Sequence, residues 1–396
     1  MTKKMNAAPV LEQKRIEAID MMRGLALLGI LLANSMHFQF GLFLNPDIHS
    51  FYPLGMIDRL AEMFIVLFAQ ASFYTLFSFL FGYGMVLLKE RLLQQELHYA
   101  PIYWRRMLIL LIVGYVHGLF IWDGDILFTY AISGFILFFF LKLKDKGLLI
   151  WSIILLSLMA MSITSSGEDE YTASIDEQLM SYSVQEKEVL SQGSYSEVVS
   201  FRESTDPLGM GLLGEIITLV SAMISVLGMF LLGAFVARKK WLEDPNKYRG
   251  LIKRIWWITL LVGFPCKLAF LINSNIQTET LHSMIGGPIV AMFYASSIAL
   301  LATTPKGNKL LQPLAYVGRL SLTNYLMQSI VFTSIFYGYG LDLFGKIGYF
   351  SGVLLVFGFF FIQIIVSRLW LKAFYIGPFE WFWRACTYLK LPKLKR

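Results

Sequence analysis

Long apolar runs recur along this chain, and they constrain its fold more than any other feature. A helix needs about twenty apolar residues to cross the hydrocarbon core of a bilayer. By that measure about ten segments qualify: 21–40, 60–88, 107–122, 124–141, 147–164, 212–237, 255–273, 284–303, 315–337 and 347–369. In lipid, each segment must satisfy its own backbone N–H and C=O groups, so runs of this kind fold as helices. Charged residues make up 15% of the chain, where soluble domains carry about 25%. The expected class is therefore an all-α polytopic transmembrane bundle of about ten spanning helices.

The basic residues set the orientation. With the N-terminus in the cytoplasm, only Arg59, Lys187, Arg202 and Lys346 of the 34 Lys and Arg fall outside, and Lys267 falls inside a span. Cytoplasmic loops are enriched in Lys and Arg, so both termini are expected inside. The formal charge of +7 reflects this bias, not a nucleic-acid partner. Five blocks follow: a polar segment 1–20, five spans in 21–164, an acidic external loop 165–211, five spans in 212–372 and a basic tail 373–396. The polar start is unlike a cleaved signal peptide, whose apolar core begins within a few residues. The acidic loop runs through Glu168, Asp169, Glu186 and Asp206. Ile175, Leu179 and Tyr182 recur in it at helical spacing, as in an amphipathic helix on the outer face. The lone Cys266 and Cys386 read as packing residues. No P-loop, HExxH, CxxC or GxSxG pattern occurs, so no metal site is expected.

Polar groups inside such runs are costly and mark either sites or helix–helix contacts. In "HGLFIWDGDILFTYA", His117 lies near the outer end of the third span, and Asp123 and Asp125 form the turn into the fourth. A histidine oriented by a carboxylate suits general-base chemistry. The same residues also suit a bundle histidine beside an aspartate that caps the next helix. His37, His49, His117 and His282 all fall near the expected outer boundary. Asp20 and Arg23 share a face at the start of the first span, and Asn34 lies further along it. These two charges would bind an anion or anchor the helix at the headgroups. Ser321, Asn324, Tyr325 and Gln328 form a polar stripe, which suits helix–helix contact as well as a substrate path. Glu62, Gln70, Tyr74 and Ser78 repeat the pattern in the second span. Lys267 follows Pro265 deep in the seventh span and is expected to meet an acid or a cavity, or to snorkel.

Five stretches occur in order: "RIEAIDMMRGLALLGILLAN", "LFSFLFGYG", "RRMLILLIVGYVHGLFIWDGDILFTYA", "YVGRLSLTNYLMQS" and "GPFEWFWR". Together they resemble the YeiB family of bacterial multi-pass membrane proteins, over nearly the whole chain. That family is a domain of unknown function with distant similarity to transmembrane acyltransferases, which include sugar O-acetyltransferases and the lysosomal heparan N-acetyltransferase. The resemblance implies a bacterial plasma-membrane bundle. An acyl-CoA donor would enter from the cytoplasm, and a small-molecule, lipid or cell-surface glycan acceptor would bind outside. Asp20, Arg23 and Gly24 match the D-x-x-RG start of those enzymes' first helix. Asn34 stands where the O-acetyltransferases place a histidine, and His117 or His37 would have to substitute.

Two functional readings follow. In the first, His117 is a general base oriented by Asp125 or Asp123, and Asp20, Arg23 and Arg319 hold the donor's phosphates. In the second, a transporter or lipid-handling protein uses Lys267, Pro265, Asn324 and Gln328 to line a path without covalent chemistry.

Overall fold

A computed structural model describes residues 16–41, 52, 54–161, 170–207 and 209–396, with the side chains of 170–177 excepted. Lys3, Lys4, Lys14, Arg15, His49, Glu168 and Asp169, and the side chain of Ile175, lie outside the described residues. The chain is an all-α polytopic helical bundle. Among the described residues, seven helical stretches are long and apolar enough to cross a membrane: Glu17–Phe40, Met56–Gln94, Tyr99–Phe120, Gly211–Arg238, Arg249–Ile272, Ile276–Ala302 and Tyr349–Ala373.

In chain order the helices are α1 (Glu17–Phe40), α2 (Met56–Phe64), α3 (Ser72–Gln94), α4 (Tyr99–Phe120), α5 (Leu127–Phe140) and α6 (Asp145–Met161). Then follow α7 (Glu170–Gln192), α8 (Tyr195–Ser204), α9 (Gly211–Arg238), α10 (Arg249–Ile272) and α11 (Ile276–Thr280). The last are α12 (Gly287–Ala302), α13 (Pro305–Arg319), α14 (Ser321–Phe336), α15 (Tyr349–Ala373) and α16 (Pro378–Tyr388).

α1 is the central helix. It buries Ile19, Met22, Leu27, Leu31, Ser35 and Phe38 on several faces and packs against α3, α12, α13, α14 and α15. In lipid, helices are not driven together by hydrophobicity, so close backbone approach matters more. Gly24 and Gly318 provide it between α1 and α13: a side chain on Gly24 would collide with the Leu314 carbonyl, and one on Gly318 with that of Asp20. α9 packs on α3, α5 and α6, and α4 on α5, α8 and α16. α15 lies at the rim. It buries the stripe Gly352, Val356, Phe360, Gln363, Ser367 and Leu371 and exposes Phe361, Ile362, Val366 and Leu369, as a lipid-facing helix does.

Two of the apolar runs are broken. The run 60–88 is interrupted where a π-helical turn, Ile65–Ala69, ends at Gln70 and Ala71 takes φ +59°. The run 315–337 breaks at Leu320, whose ψ of 38° starts a new helix. Hydropathy averages over such breaks, so both runs read as continuous in the sequence.

The two described termini lie at one end of the bundle. Glu17 accepts from Asn308 at the start of α13 (3.2 Å). α16 docks where α3 ends and α4 begins, through Arg91–Tyr388 (3.1 Å) and Trp383–Arg106 (3.2 Å).

Candidate active site

Gly114 sets the position of His117. A side chain there would strike the Leu127–Phe128 backbone, so its absence lets the end of α4 meet the start of α5. The Trp122–Asp125 turn then folds back over His117. His117 Nδ1 lies 2.8 Å from Asp125 Oδ1, and the other carboxylate oxygen accepts the Phe128 N–H at 2.8 Å. Asp125 thus caps α5 and orients the imidazole at the same time. A carboxylate on Nδ1 holds the proton there and leaves Nε2 with its lone pair. That nitrogen is buried and has no hydrogen-bond partner, and His117 is 1% exposed. The Tyr325 ring lies 5.3 Å from the imidazole, and its hydroxyl points at Asp125 from 3.5 Å. A buried histidine with a fixed tautomer and a bare Nε2 is equipped to take a proton.

Asp123 has a different setting. It is exposed at the turn, and its charge acts on Glu186 of α7 and Arg202 of α8. Tyr195 donates to the Phe120 carbonyl (2.8 Å), Arg202 to that of Leu119 (3.4 Å), and Gly338 N–H to that of Leu190 (2.8 Å). These bonds fix α7 and α8 over the ends of α4 and α14. Ser183, Glu186 and Leu190 form the buried stripe of α7. Glu186 packs against Gly41, the left-handed residue that ends α1. Burial, reinforced by the charge of Asp123, pushes the Glu186 carboxyl well above its usual range, while Arg202 pulls it down. His37 also reaches this end, edge-on to Trp122 at 6.4 Å, and Asn34 is half-buried a turn before it on α1.

The other candidates lie elsewhere. Asp20 and Arg23 pair at 3.2 Å at the terminal end of α1, and Arg319 closes α13 beside Gly318. Asn324 and Gln328 belong to a buried amide ladder with Gln363. Asn324 donates to Val317 O and Ser367 Oγ (both 3.1 Å), Gln328 to Gln363 Oε1 (2.9 Å) and Leu27 O (3.4 Å), and Gln363 back to Asn324 O (3.1 Å). The ladder ties α1, α13, α14 and α15 together. Lys267 is fully buried and does not snorkel, and among the described residues it forms no ion pair with an acid. Its Nζ donates to Gln70 O (2.6 Å) and Ser72 Oγ (2.9 Å), so it bridges the break between α2 and α3. Tyr74 and Ser78 both meet the Tyr130 hydroxyl (2.9 and 2.7 Å).

Comparison with known proteins places the chain. Residues 236–390 match the family model described as "Protein of unknown function (DUF418)". The chain is 36% identical to the uncharacterized protein YxaH of Bacillus subtilis over 403 aligned positions, covering 96% of each. The chain belongs to the YeiB-like DUF418 family. A further relative is the uncharacterized 39.9 kDa protein in the amylase 3' region of Bacillus acidopullulyticus, at 31% identity with 96% of each chain covered. YeiB of Escherichia coli is 29% identical over 94% of this chain and 96% of its own. The family model covers α10–α16, and the His117–Asp125 pair lies before it.

Sequence reasoning did not single out Glu186 and Arg202 as site residues. A signal for Glu186 was present: it continues the Leu179 and Tyr182 spacing by one further turn.

Proposed function

We propose that this DUF418 protein is a membrane-embedded acyltransferase-like enzyme of the bacterial plasma membrane, with His117 as general base and Asp125 as its orienting partner. The buried 2.8 Å pair with an unpartnered Nε2 carries this reading. Nε2 takes the proton of an acceptor hydroxyl or amine. The acceptor atom bonds to the carbonyl carbon of an acyl thioester, the C–S bond breaks, and the thiolate leaves with the proton from the imidazolium. The surroundings favour Asp125 over Asp123 as the partner, since Asp125 holds the ring at 2.8 Å and Asp123 is exposed at the turn. The excess of Lys and Arg at the terminal end supports a cytoplasmic location for both termini, with the His117–Asp125 turn at the opposite face. A transport path past Lys267 has less support, because its Nζ is occupied by the backbone and hydroxyl that it bridges.

The test uses radiolabelled acetyl-CoA added to the cytoplasmic face of membrane vesicles that contain the host's own glycans and lipids. Wild-type protein should move label into the extracytoplasmic fraction. His117→Ala should lower the rate by about 100-fold or more, the scale of general-base catalysis, and Asp125→Asn by a smaller factor. Undiminished transfer by His117→Ala protein of normal abundance would remove His117 from this role.

A further inference from the structure

Two π-helical turns pack against α10 around Lys267. The first, Ile65–Ala69, ends at the break between α2 and α3. The second, Leu281–Gly286, joins α11 to α12. Such turns are rare and collect at functional sites. Glycines make the contact close: a Cβ on Gly286 would sit 2.8 Å from Lys267 Cγ, and one on Gly287 2.8 Å from the Ala71 carbonyl oxygen. Lys267 and His282 are both buried here, at 0% and 1% exposure. Among the described residues, neither pairs with a carboxylate. On the elements packed around them, the titratable side chains nearest in sequence to the contact are Glu62 on α2, Tyr74 on α3, Cys266 on α10, Glu279 on α11 and Tyr294 on α12. Glu279 is exposed, and the Tyr294 hydroxyl donates to Phe68 O at 2.8 Å. His37 of α1 lies beside Trp122 instead, and Asp145 and Lys146 sit at the start of α6.

The hydrogen bonds of this contact count its protons. Lys267 Nζ has two acceptors, Gln70 O at 2.6 Å and Ser72 Oγ at 2.9 Å. His282 Nδ1 donates to the Lys267 carbonyl at 3.5 Å, and its Nε2 is buried without a partner. A neutral amine has two N–H groups and a neutral imidazole has one, so the three bonds use all three. An ammonium has three donors and an imidazolium two. A proton added to either group therefore brings a donor without an acceptor among the described residues, and a buried charge without a counter-charge. Both are costly away from water.

We propose that Lys267 and His282 form a proton-binding site that controls the break between α2 and α3. The closed arrangement holds both groups neutral. Binding of a proton, at Nζ or at Nε2, favours an open arrangement in which water reaches the charge and Lys267 lets go of Gln70 and Ser72. The sign follows from linkage: the open form binds more protons, so the break closes as pH rises. This site goes beyond the acyl-transfer reading and does not depend on it.

The break carries its own reporters. Gln70 N–H donates to Ile65 O at 2.9 Å and Ser72 N–H to Gln70 O at 2.8 Å. The experiment measures protection of these amides by hydrogen exchange, relative to the intrinsic rate at each pH, for the full chain in phosphatidylcholine nanodiscs. Wild-type protection should be about tenfold or more higher at pH 8.5 than at pH 5.5, against a ceiling of tenfold per pH unit for one proton. Glu186→Gln, on α7, should leave that difference unchanged. Lys267→Met should lower protection at both pH values and shrink the difference, and His282→Gln serves where Lys267→Met fails to fold. A difference lost in Lys267→Met alone assigns the proton to the amine, and one lost in His282→Gln alone assigns it to the imidazole; both uphold the site. In 15N-histidine spectra at pH 8.5, the signal that disappears in His282→Gln should be that of a neutral Nδ1–H tautomer. Equal wild-type protection at the two pH values would overturn the proposal, as would a full pH response in the double variant or an imidazolium signal for His282 at pH 8.5.

Discussion

At the scale of single residues, the bundle treats its buried polar groups in two ways. The amides of Asn324, Gln328 and Gln363 spend their donors on one another and on nearby carbonyl and hydroxyl oxygens, which is how a polar stripe becomes a helix–helix contact. His117 keeps one nitrogen in reserve. Lys267 belongs with the first group: it holds Gln70 and Ser72 across a helix break. Depriving a buried donor of its acceptor costs more than removing the donor as well. Ser72→Ala should therefore destabilise the protein by about 1–3 kcal/mol while Lys267 is present. In a Lys267→Met background the same change should cost much less. Thermal unfolding in detergent across the four variants of this cycle measures the coupling. Equal costs in both backgrounds would show that Lys267 does not depend on Ser72.

At the scale of elements, the α7–α8 hairpin is the part most sensitive to conditions. α7 and α8 are held by a few hydrogen bonds to the ends of α4 and α14, and by the buried Glu186. Asp123, Tyr52, Tyr182 and Arg202 surround that carboxyl. Its folded pKa is raised, so its contribution to docking is complete below the ordinary carboxyl range near pH 4.5 and is lost as pH rises through the raised value. The protection of α7 amides, exchange rates taken relative to the intrinsic rate at each pH, should be higher at pH 5 than at pH 8. Glu186→Gln should remove that difference, because the amide does not ionise. Protection in wild-type α7 that is equal at the two pH values would show that Glu186 does not control docking. The break at Leu320 is a second element-level device. Glu380 of α16 accepts the Leu322 and Thr323 N–H groups at 2.7 and 3.1 Å, so a residue far along the chain caps α14.

At the scale of the whole molecule, glycines let the helices approach closely. Gly82 and Gly233 form a reciprocal contact between α3 and α9, in which a side chain on either would strike the carbonyl of Phe230 or Phe79. Alanine at Gly233 should overpack this contact and cost about 1–3 kcal/mol. Gly358 on α15 has open space around it, and alanine there should stabilise the helix by about 0.5–1 kcal/mol. Thermal unfolding of the two variants in one detergent separates packing from helix propensity. A destabilised Gly358→Ala beside an unaffected Gly233→Ala would reverse that assignment.

The sequence by itself determined the class of the fold and the existence of most elements, because hydropathy and helical period are sums over neighbouring residues. It also brought His117 and Asp125 into one candidate site, since a short turn separates them and local geometry decides whether they meet. The choice between Asp125 and Asp123 was not legible, because it depends on Gly114 letting α4 and α5 touch. Lys267 and Gln70 are 197 positions apart, and Tyr325 and Asp125 are 200 apart. Glu186 and Arg202 likewise gain their meaning only from partners on other helices. Tertiary structure alone decided these pairings, because which faces meet depends on shape complementarity between segments that no local average of the sequence compares.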